Sequence, residues 1–340
     1  MKQIVITKYG GTDVLKIQER MDPEPLPGEV RIQVKAAGVN FADILARKGL
    51  YPDAPKPPCV VGYEVSGIVE AAGQDVATSI VGQPVLALTR FNGYSEKVCV
   101  PESNVFTIPG GLDFERAAAI PVNYLTAYQL IGVMGGLKKG ESVLIHNAGG
   151  GVGLAAVDIS MHLEATTYGT SSAGKHLFLK ERGLNHPIDY RNQDFLATIM
   201  HFTDGKGVEL VIDPIGGKNW KRSYKALRKT GRLGMFGVST VTESKMGRLF
   251  QFIKLIAQMP WYNPLRLMNA NKSVFGVNLG HMWNEGDKIG GWMQNILNGV
   301  EQGWVRPHVD RTFLFEQAGE AHAYIEARKN IGKIVLVAGD

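Results

Sequence analysis

The residues with the clearest chemical pattern run from Glu141 to Asp158. Ser142-Val143-Leu144-Ile145 is a short apolar run suited to a strand buried in a parallel sheet. Ala148-Gly149-Gly150-Gly151-Val152-Gly153 follows as a glycine turn, and Leu154 to Met161 holds good helix formers with no breaker. Strand, glycine turn and helix in that order make a dinucleotide-binding crossover. Gly150 lets the backbone approach a pyrophosphate, Gly153 lets the helix pack close to the strand, and the helix N-terminus faces the anion. Ala148 stands at the first position of the usual Gly-x-Gly-x-x-Gly, so the turn is a variant of that fingerprint. NAD enzymes carry Asp or Glu at the end of the second strand, roughly 20 residues past the glycine turn, where it accepts from the ribose 2′-hydroxyl. Here Thr167-Tyr-Gly-Thr-Ser-Ser172 occupies that place without a carboxylate, and Lys175 follows. A carboxylate would repel a 2′-phosphate, whereas hydroxyls and an ammonium accept one, so NADPH is the predicted cofactor.

Other chemistries find less support. No Ser/His/Asp or paired-carboxylate arrangement points to hydrolysis. The two cysteines, Cys59 and Cys99, lie in apolar company and read as buried, inert thiols; they are too few for a disulfide framework or a Cys-x-x-Cys metal clip. None of the 8 histidines stands at metal-ligand spacing from another.

The elements that must position the glycine turn can be read on either side of it. A chain of 340 residues most often folds as two domains, and 44% hydrophobic residues suffice for a sizeable core. Its 41 glycines, well above the usual ~7%, suit many tight turns between short elements. The net charge of +5 comes with no dense Lys/Arg run, so nucleic acid is not an expected partner. Val30-Arg-Ile-Gln-Val-Lys35 alternates as a strand with Val30, Ile32 and Val34 on one face, and closely spaced strand patterns up to about residue 110 indicate a compact β domain. A helical section from Glu115 to Gly132, broken near Pro121, precedes the crossover. Beyond it, Ala165–Gly169, Val208–Asp213 and Gly231–Gly237 read as strands, with a helix from Leu177 to Arg182; this alternation predicts a doubly wound parallel sheet. Ile289 to Val300 reads as a helix. Gly332-Lys-Ile-Val-Leu-Val337 reads as a terminal strand that returns to the first domain. Met1-Lys-Gln-Ile-Val-Ile reads as a strand and not a signal sequence, and no apolar run approaches the ~18 residues of a membrane span, so a soluble, cytoplasmic protein is expected.

Gly38-Val-Asn-Phe-Ala-Asp43, Gly62-Tyr-Glu64, Leu125-Thr-Ala-Tyr128, Ala148 to Gly153 and the terminal Gly332-Lys-Ile-Val-Leu together resemble the zinc-free quinone oxidoreductases of the medium-chain dehydrogenase/reductase superfamily. The resemblance covers nearly the whole chain in the right order. Within that group, His186-Pro-Ile-Asp-Tyr190, Asp213-Pro-Ile-Gly-Gly217 and the longer segment before Asn271 resemble most the synaptic-vesicle VAT-1 branch. The fold implied is α/β: a doubly wound parallel-sheet Rossmann domain at 124–278, and a β-rich GroES-like catalytic domain at 1–123 completed by 279–340. Zinc alcohol dehydrogenases of the superfamily bind catalytic zinc through a Cys, the His of Gly-His-Glu and a further Cys, and they carry a structural loop of four closely spaced cysteines. The matching positions here are Asn40, Tyr63 and approximately Val122, and the four-cysteine loop is absent, so no metal is expected.

Without a Lewis acid, the chemistry implied is hydride delivery from a reduced nicotinamide to an acceptor already electrophilic, a quinone or an α,β-unsaturated carbonyl. The resemblance puts Asn40 and Tyr51 near the acceptor oxygen, with Tyr63 third. Plainer readings stand beside these: Asn40 as the cap of the helix from Phe41, and Tyr51 as a surface aromatic. The resemblance gives Thr126 as a nicotinamide contact, the alternative being a helix threonine bonded to the preceding turn. It gives Lys175 and Tyr190, with Ser171, as contacts to the 2′-phosphate. It extends the cofactor set along the turn, Ala148, Gly149, Gly150, Gly151, Val152 and Gly153, and on to Thr170, Phe236, Gly237, Val238, Phe275, Gly276 and Val277. It also implies a homodimer.

Residues 244 to 284 contain no Asp or Glu but hold Lys245, Arg248, Lys254, Arg266 and Lys272. Met246, Leu249, Phe250, Ile253 and Ile256 recur at helical spacing, Pro260 ends the pattern, and Trp261-Tyr262 follow. Two readings are open: a cover over the cleft or a dimer surface, and an amphipathic segment that docks on anionic lipid with Trp261 and Tyr262 at the headgroups. The second belongs to an alternative function, a membrane-associated lipid-binding protein with little reductase activity. A third is a structural nucleotide-binding protein, as this family has supplied among the crystallins.

Overall fold

The computed structural model describes residues 1–239 and 257–339. The chain forms two compact units, Met1–Leu125 together with Leu279–Asp340, and Thr126–Asn278.

In the first unit, β1 (Lys2–Ile6) and β2 (Leu15–Glu19) pair antiparallel as a small ribbon. The main sheet is built around β3 (Glu29–Val39), whose alternation buries Val30, Ile32 and Val34 while Gln33 faces solvent. Arg31, on the outer face, forms ion pairs with Glu24 and Glu70, both at 3.0 Å. One edge of β3 pairs along its length with β4 (Glu64–Ala72), and β4 leads on to β5 (Pro84–Leu88). The first half of the other edge of β3 pairs with β6 (Lys97–Pro101), and the far edge of β5 pairs with β7 (Val105–Thr107). The Val-rich inner faces of these strands, with Tyr94 and Phe315, make the core of this unit.

The second unit is a parallel sheet. Its strands are β8 (Ser142–Ile145), β9 (Thr166–Ser171), β10 (His186–Asp189), β11 (Val208–Asp213), β12 (Leu227–Met235) and β13 (Ser273–Gly276). Among the described residues they pair in the order β10-β9-β8-β11-β12-β13, every pair parallel. Numbered within the unit this is 3-2-1-4-5-6, the doubly wound order whose direction reverses between the first and fourth strands. Helices cover both faces of such a sheet, so β8 and β11 must read as unbroken apolar runs; Val143, Leu144, Ile145, Leu210, Val211 and Ile212 are all buried.

The chain then returns to the first unit with the helix Gly286–Glu301, β14 (Val309–Leu314), the helix Ala318–Glu326 and β15 (Lys333–Val337). β15 inserts between β14 and the second half of β3, with Ile334 opposite Val39 and Leu336 opposite Ala37.

Several sequence readings shift. The strand read at Ala165–Gly169 runs Thr166–Ser171, so Ser171 is its last residue. His186–Asp189 is a strand although Pro187 interrupts it; β10 is the sheet edge, where a missing N–H costs no ladder bond. The helical section near Pro121 is a short turn of helix at Phe114–Ala117 and a second helix, Pro121–Tyr128. Pro121 opens that second helix, the position at which proline costs least. Cys59 and Cys99 are half-buried rather than buried, and desolvation raises both thiols, Cys99 to about 11, so both stay protonated. The positions Lys245, Met246, Arg248, Leu249, Phe250, Ile253, Lys254 and Ile256 lie outside the described residues. Of the remainder, Trp261 is exposed, but Tyr262 packs inward against Tyr224 at 5.3 Å and donates to the Trp220 carbonyl at 3.4 Å. Tyr262 therefore does not pair with Trp261 as a surface anchor. No helix of the described residues is long and apolar enough to cross a membrane.

Candidate functional site

In the second unit, the candidate cofactor residues collect at the carboxyl ends of the parallel strands. The chain leaves β8 through His146 and Asn147 into Ala148 to Gly153, and Gly150 opens the helix Gly151–His162 without a side-chain cap. The first N–H groups of that helix are thus left to an anion at its N-terminus. Gly153 has no substitute: a Cβ there would stand 2.3 Å from the Asn147 carbonyl and 2.7 Å from that of Ala148. Ala148 itself is buried, its N–H bonded to Thr170 O at 3.0 Å, so the turn is stitched to the end of β9. Behind it, His146 sits between Thr170 Oγ1 and Ser223 Oγ, each at 3.1 Å, and Ser223 donates to Asp213 at 2.6 Å. Burial lowers the His146 pKa, keeping the ring neutral as a brace between β8, β9 and β11.

Ser171 ends β9, and Tyr190 N–H donates to its carbonyl at 3.2 Å, which brings the ends of β9 and β10 together. Lys175 folds back over the turn, its Cδ 2.9 Å and its Nζ 3.8 Å from where a Gly149 Cβ would stand. Arg191 lies 5.9 Å over the Tyr190 ring and adds a cation that sequence reasoning missed. Asp189, a carboxylate near this edge, belongs to β10 and accepts from Arg191 N and Asn192 Nδ2, while its own N–H donates to Gln193 Oε1. Phe236, Gly237 and Val238 follow β12, Phe275 and Gly276 end β13, and Val277 N–H bonds back to Met235 at 2.9 Å. Thr126 is buried on the helix Pro121–Tyr128.

In the first unit, Asn40 is committed in a way its motif does not reveal. Its Oδ1 accepts from Lys333 Nζ at 2.7 Å, and its Nδ2 donates to Glu64 Oε1 at 2.9 Å. Lys333 and Glu64 form a buried ion pair, and the second Glu64 oxygen accepts from Val122 N at 2.7 Å, at the start of the helix Pro121–Tyr128. Gly38 makes room for this cluster, since a Cβ there would lie 2.6 Å from both Glu64 Oε1 and Lys333 Cε. Asn40 is the N-cap of the helix Phe41–Lys48, and Asp43 at the third helical position closes the capping box by accepting from Asn40 N at 2.8 Å. Asp43 also accepts from Gly62 N and Tyr94 OH, each at 3.1 Å. Burial raises its carboxyl to about 7, against the pull of these donors and of Lys333. The Tyr94 hydroxyl also lies 3.1 Å from His322 Nε2, whose pKa burial lowers to about 3.

Tyr51 and Tyr63 meet in a different place. Their rings pack edge to face at 6.2 Å, and Phe91 lies 5.4 Å from Tyr63. These three, with Arg90, His281 and Trp283, line a cavity of about 330 Å³. Tyr63 is 7% exposed, and its hydroxyl has no hydrogen-bond partner among the described residues. Burial, reinforced by Tyr51 and Asp43, raises its pKa, so it stays a neutral donor. Burial also raises Tyr51. His281, Arg90 and Trp283 carried no motif; only the return of the chain after residue 278 brings His281 and Trp283 here. Among the described residues no three His, Cys, Asp or Glu side chains are grouped as a metal would need.

Comparison with known proteins agrees with this arrangement. A family model described as the alcohol dehydrogenase GroES-like domain matches residues 26–110, and one described as zinc-binding dehydrogenase matches residues 182–336. The chain is 39% identical over 337 residues to the synaptic vesicle membrane protein VAT-1 homolog of Danio rerio, covering 98% of this chain and 69% of that one. It is 32% identical over 340 residues to a quinone oxidoreductase of Pseudomonas aeruginosa, covering 99% of both. The crystal structure of Escherichia coli quinone oxidoreductase complexed with NADPH superimposes with a TM-score of 0.88 at 27% identity, covering 99% of this chain and 100% of that one. The chain belongs to the medium-chain dehydrogenase/reductase superfamily, in the group of the quinone oxidoreductases and the VAT-1 proteins.

Proposed function

We propose that this oxidoreductase uses NADPH, without zinc, to reduce a quinone or an α,β-unsaturated carbonyl. One observation carries the reading: β9 ends in Thr170-Ser171 with Lys175 folded against the glycine turn, and no carboxylate stands where an NAD enzyme keeps one. The NADPH bound to the Escherichia coli relative supports the same choice here. The residues fit that cofactor. The open N-terminus of the helix Gly151–His162 suits the pyrophosphate, and Ser171, Lys175 and Tyr190, joined by Arg191, suit the 2′-phosphate. When bound, the reduced nicotinamide would supply the hydride.

The donor set does not fit zinc. At the superfamily's ligand positions, the Asn40 amide is taken up by Lys333 and Glu64, the Tyr63 phenol is held protonated, and Val122 has no side-chain donor. What the first unit does offer is a neutral phenol in an aromatic cavity, a donor suited to an oxygen on which charge develops. Purified protein is expected to oxidise NADPH with a panel of quinones and enones, to use NADH less well, and to keep its activity after chelation with no stoichiometric zinc on elemental analysis. No turnover with any acceptor, or activity that disappears on chelation, would overturn the proposal.

A second reading, attachment to an anionic membrane, is favoured by the described end of the basic segment. Trp261, Leu265 and Met268 are 84%, 70% and 69% exposed around Arg266, an apolar patch beside the edge strand β13. On this reading the protein co-sediments with phosphatidylserine liposomes at low salt and releases at high salt, and the double change Trp261→Ala and Leu265→Ser weakens binding. Failure to sediment at low salt removes it.

A further inference from the structure

The cavity of the first unit is more selective than a slot for any flat electrophile would need to be. Its volume of about 330 Å³ lies at the lower end for small-molecule sites, which suits a body of one or two fused rings. Tyr51, Tyr63 and Phe91 give it aromatic walls, with Trp283 on the lining. Two polar groups facing it are left unpaired. One is the Tyr63 hydroxyl, buried beside the Tyr51 phenol but without a well-formed hydrogen bond among the described residues, where an unsatisfied donor is costly unless something enters to accept from it. The other is Arg90, whose guanidinium has no carboxylate partner among the described residues. Asp53, the carboxylate on the same lining, is engaged by His281 Nε2 at 2.8 Å.

We propose that this cavity takes flat conjugated carbonyl compounds that also carry an anionic group, a carboxylate above all, with Arg90 reading the anion and Tyr63 donating to the carbonyl oxygen. The chemistry of the two groups separates the roles. A guanidinium offers paired N–H donors that match the two oxygens of a carboxylate. A phenol held neutral by burial offers one proton in a fixed direction and suits a single carbonyl oxygen. The aromatic walls between them accept any planar ring, so they bind without discriminating. Arg90 is exposed at the cavity wall, which makes it a specificity residue at the entrance rather than part of the reacting constellation. The inference rests on the reductase reading for what happens after binding, but not for binding itself.

The test therefore measures binding and turnover apart. Calorimetric titration of the full chain with coumarin-6-carboxylate, which carries a conjugated carbonyl as well as the anion, and with its neutral isostere coumarin-6-carboxamide is expected to show roughly tenfold tighter binding of the carboxylate. Arg90→Gln should erase that preference and leave the amide unchanged. Tyr63→Phe should weaken both probes alike with little change in thermal stability, because the hydroxyl makes no well-formed hydrogen bond among the described residues. Equal affinities in the wild type, a preference that survives Arg90→Gln, or no binding of either probe would each overturn the proposal, even if quinones are reduced normally. A carboxylate preference that Arg90→Gln abolishes, in a protein that reduces no quinone or enone with NADPH, would sustain the anion site and sink the reductase reading alone.

Discussion

Replacing Lys333 by methionine is expected to cost the first unit about 3–5 kcal/mol, the range found when one partner of a buried ion pair is removed. The Lys333 and Glu64 side chains are 3% and 0% exposed, so the lost ammonium cannot be replaced by water. The Glu64 carboxylate would keep only the N–H groups of Asn40 and Val122, at 2.9 Å and 2.7 Å, and Asn40 Oδ1 would lose its donor. Methionine fills the volume of the lysine stem, so the loss reports the charge and not a cavity. The double variant Lys333→Met with Glu64→Gln should recover much of the stability, because two neutral groups no longer need each other. Urea denaturation followed by tryptophan fluorescence measures both, as a fall and a partial return of the midpoint at constant slope. If the single variant unfolds at the wild-type midpoint, the cluster does not hold the sheet together.

The second large effect concerns the cofactor. Lys175→Ala should raise the KM for NADPH roughly tenfold and leave that for NADH nearly unchanged. Hydrogen bonds to charged groups contribute ~1.5–3 kcal/mol, and the low end applies because Lys175 is half-exposed and screened. The aliphatic stem of Lys175 lies along Gly149, which holds the ammonium at the glycine turn instead of in bulk solvent. Lys175→Glu goes further, because it puts a carboxylate where NAD enzymes have theirs and turns the preference toward NADH. Steady-state kcat/KM for both cofactors checks this. An equal loss with NADPH and NADH would assign Lys175 to the fold, and a wild type that prefers NADH would remove the reading altogether.

The elements that carry the candidate cofactor residues, which depend on local geometry, are legible in the chain. Strand, glycine turn and helix are contiguous, and Ser171 and Lys175 follow at the spacing that one crossover imposes. Asn40 shows where legibility stops. Its place in Gly38-Val-Asn40 says nothing of the lysine 293 positions away to which its amide is bound. Nothing near Lys333 marks it as buried: it opens an apolar strand, where a lysine reads as a solvated end. Only the pairing of β15 with β3 carries it inside. Tyr262 failed for a related reason, since an aromatic beside Trp261 looks the same in sequence whether it faces solvent or Tyr224. Arg90 and His281 carried no signal, because a cavity lined by residues 51–91 and 280–284 exists only once the chain has returned.

That return also sets an order on biosynthesis. β15 lies between β3 and β14, so a nascent chain has made β1 to β7 long before the strand that completes their sheet. All of Thr126–Asn278 must be translated in between, which at ~5–20 residues per second takes on the order of ten seconds. During that interval the second half of β3 offers an open edge, and Glu64 on β4 stands without its counter-ion. The parallel-sheet unit has no such wait, since its strands are continuous in sequence and can close as soon as they leave the ribosome. The earliest-made half of the protein is thus the last to be finished, and the lysine that neutralises its interior arrives with the strand that seals it.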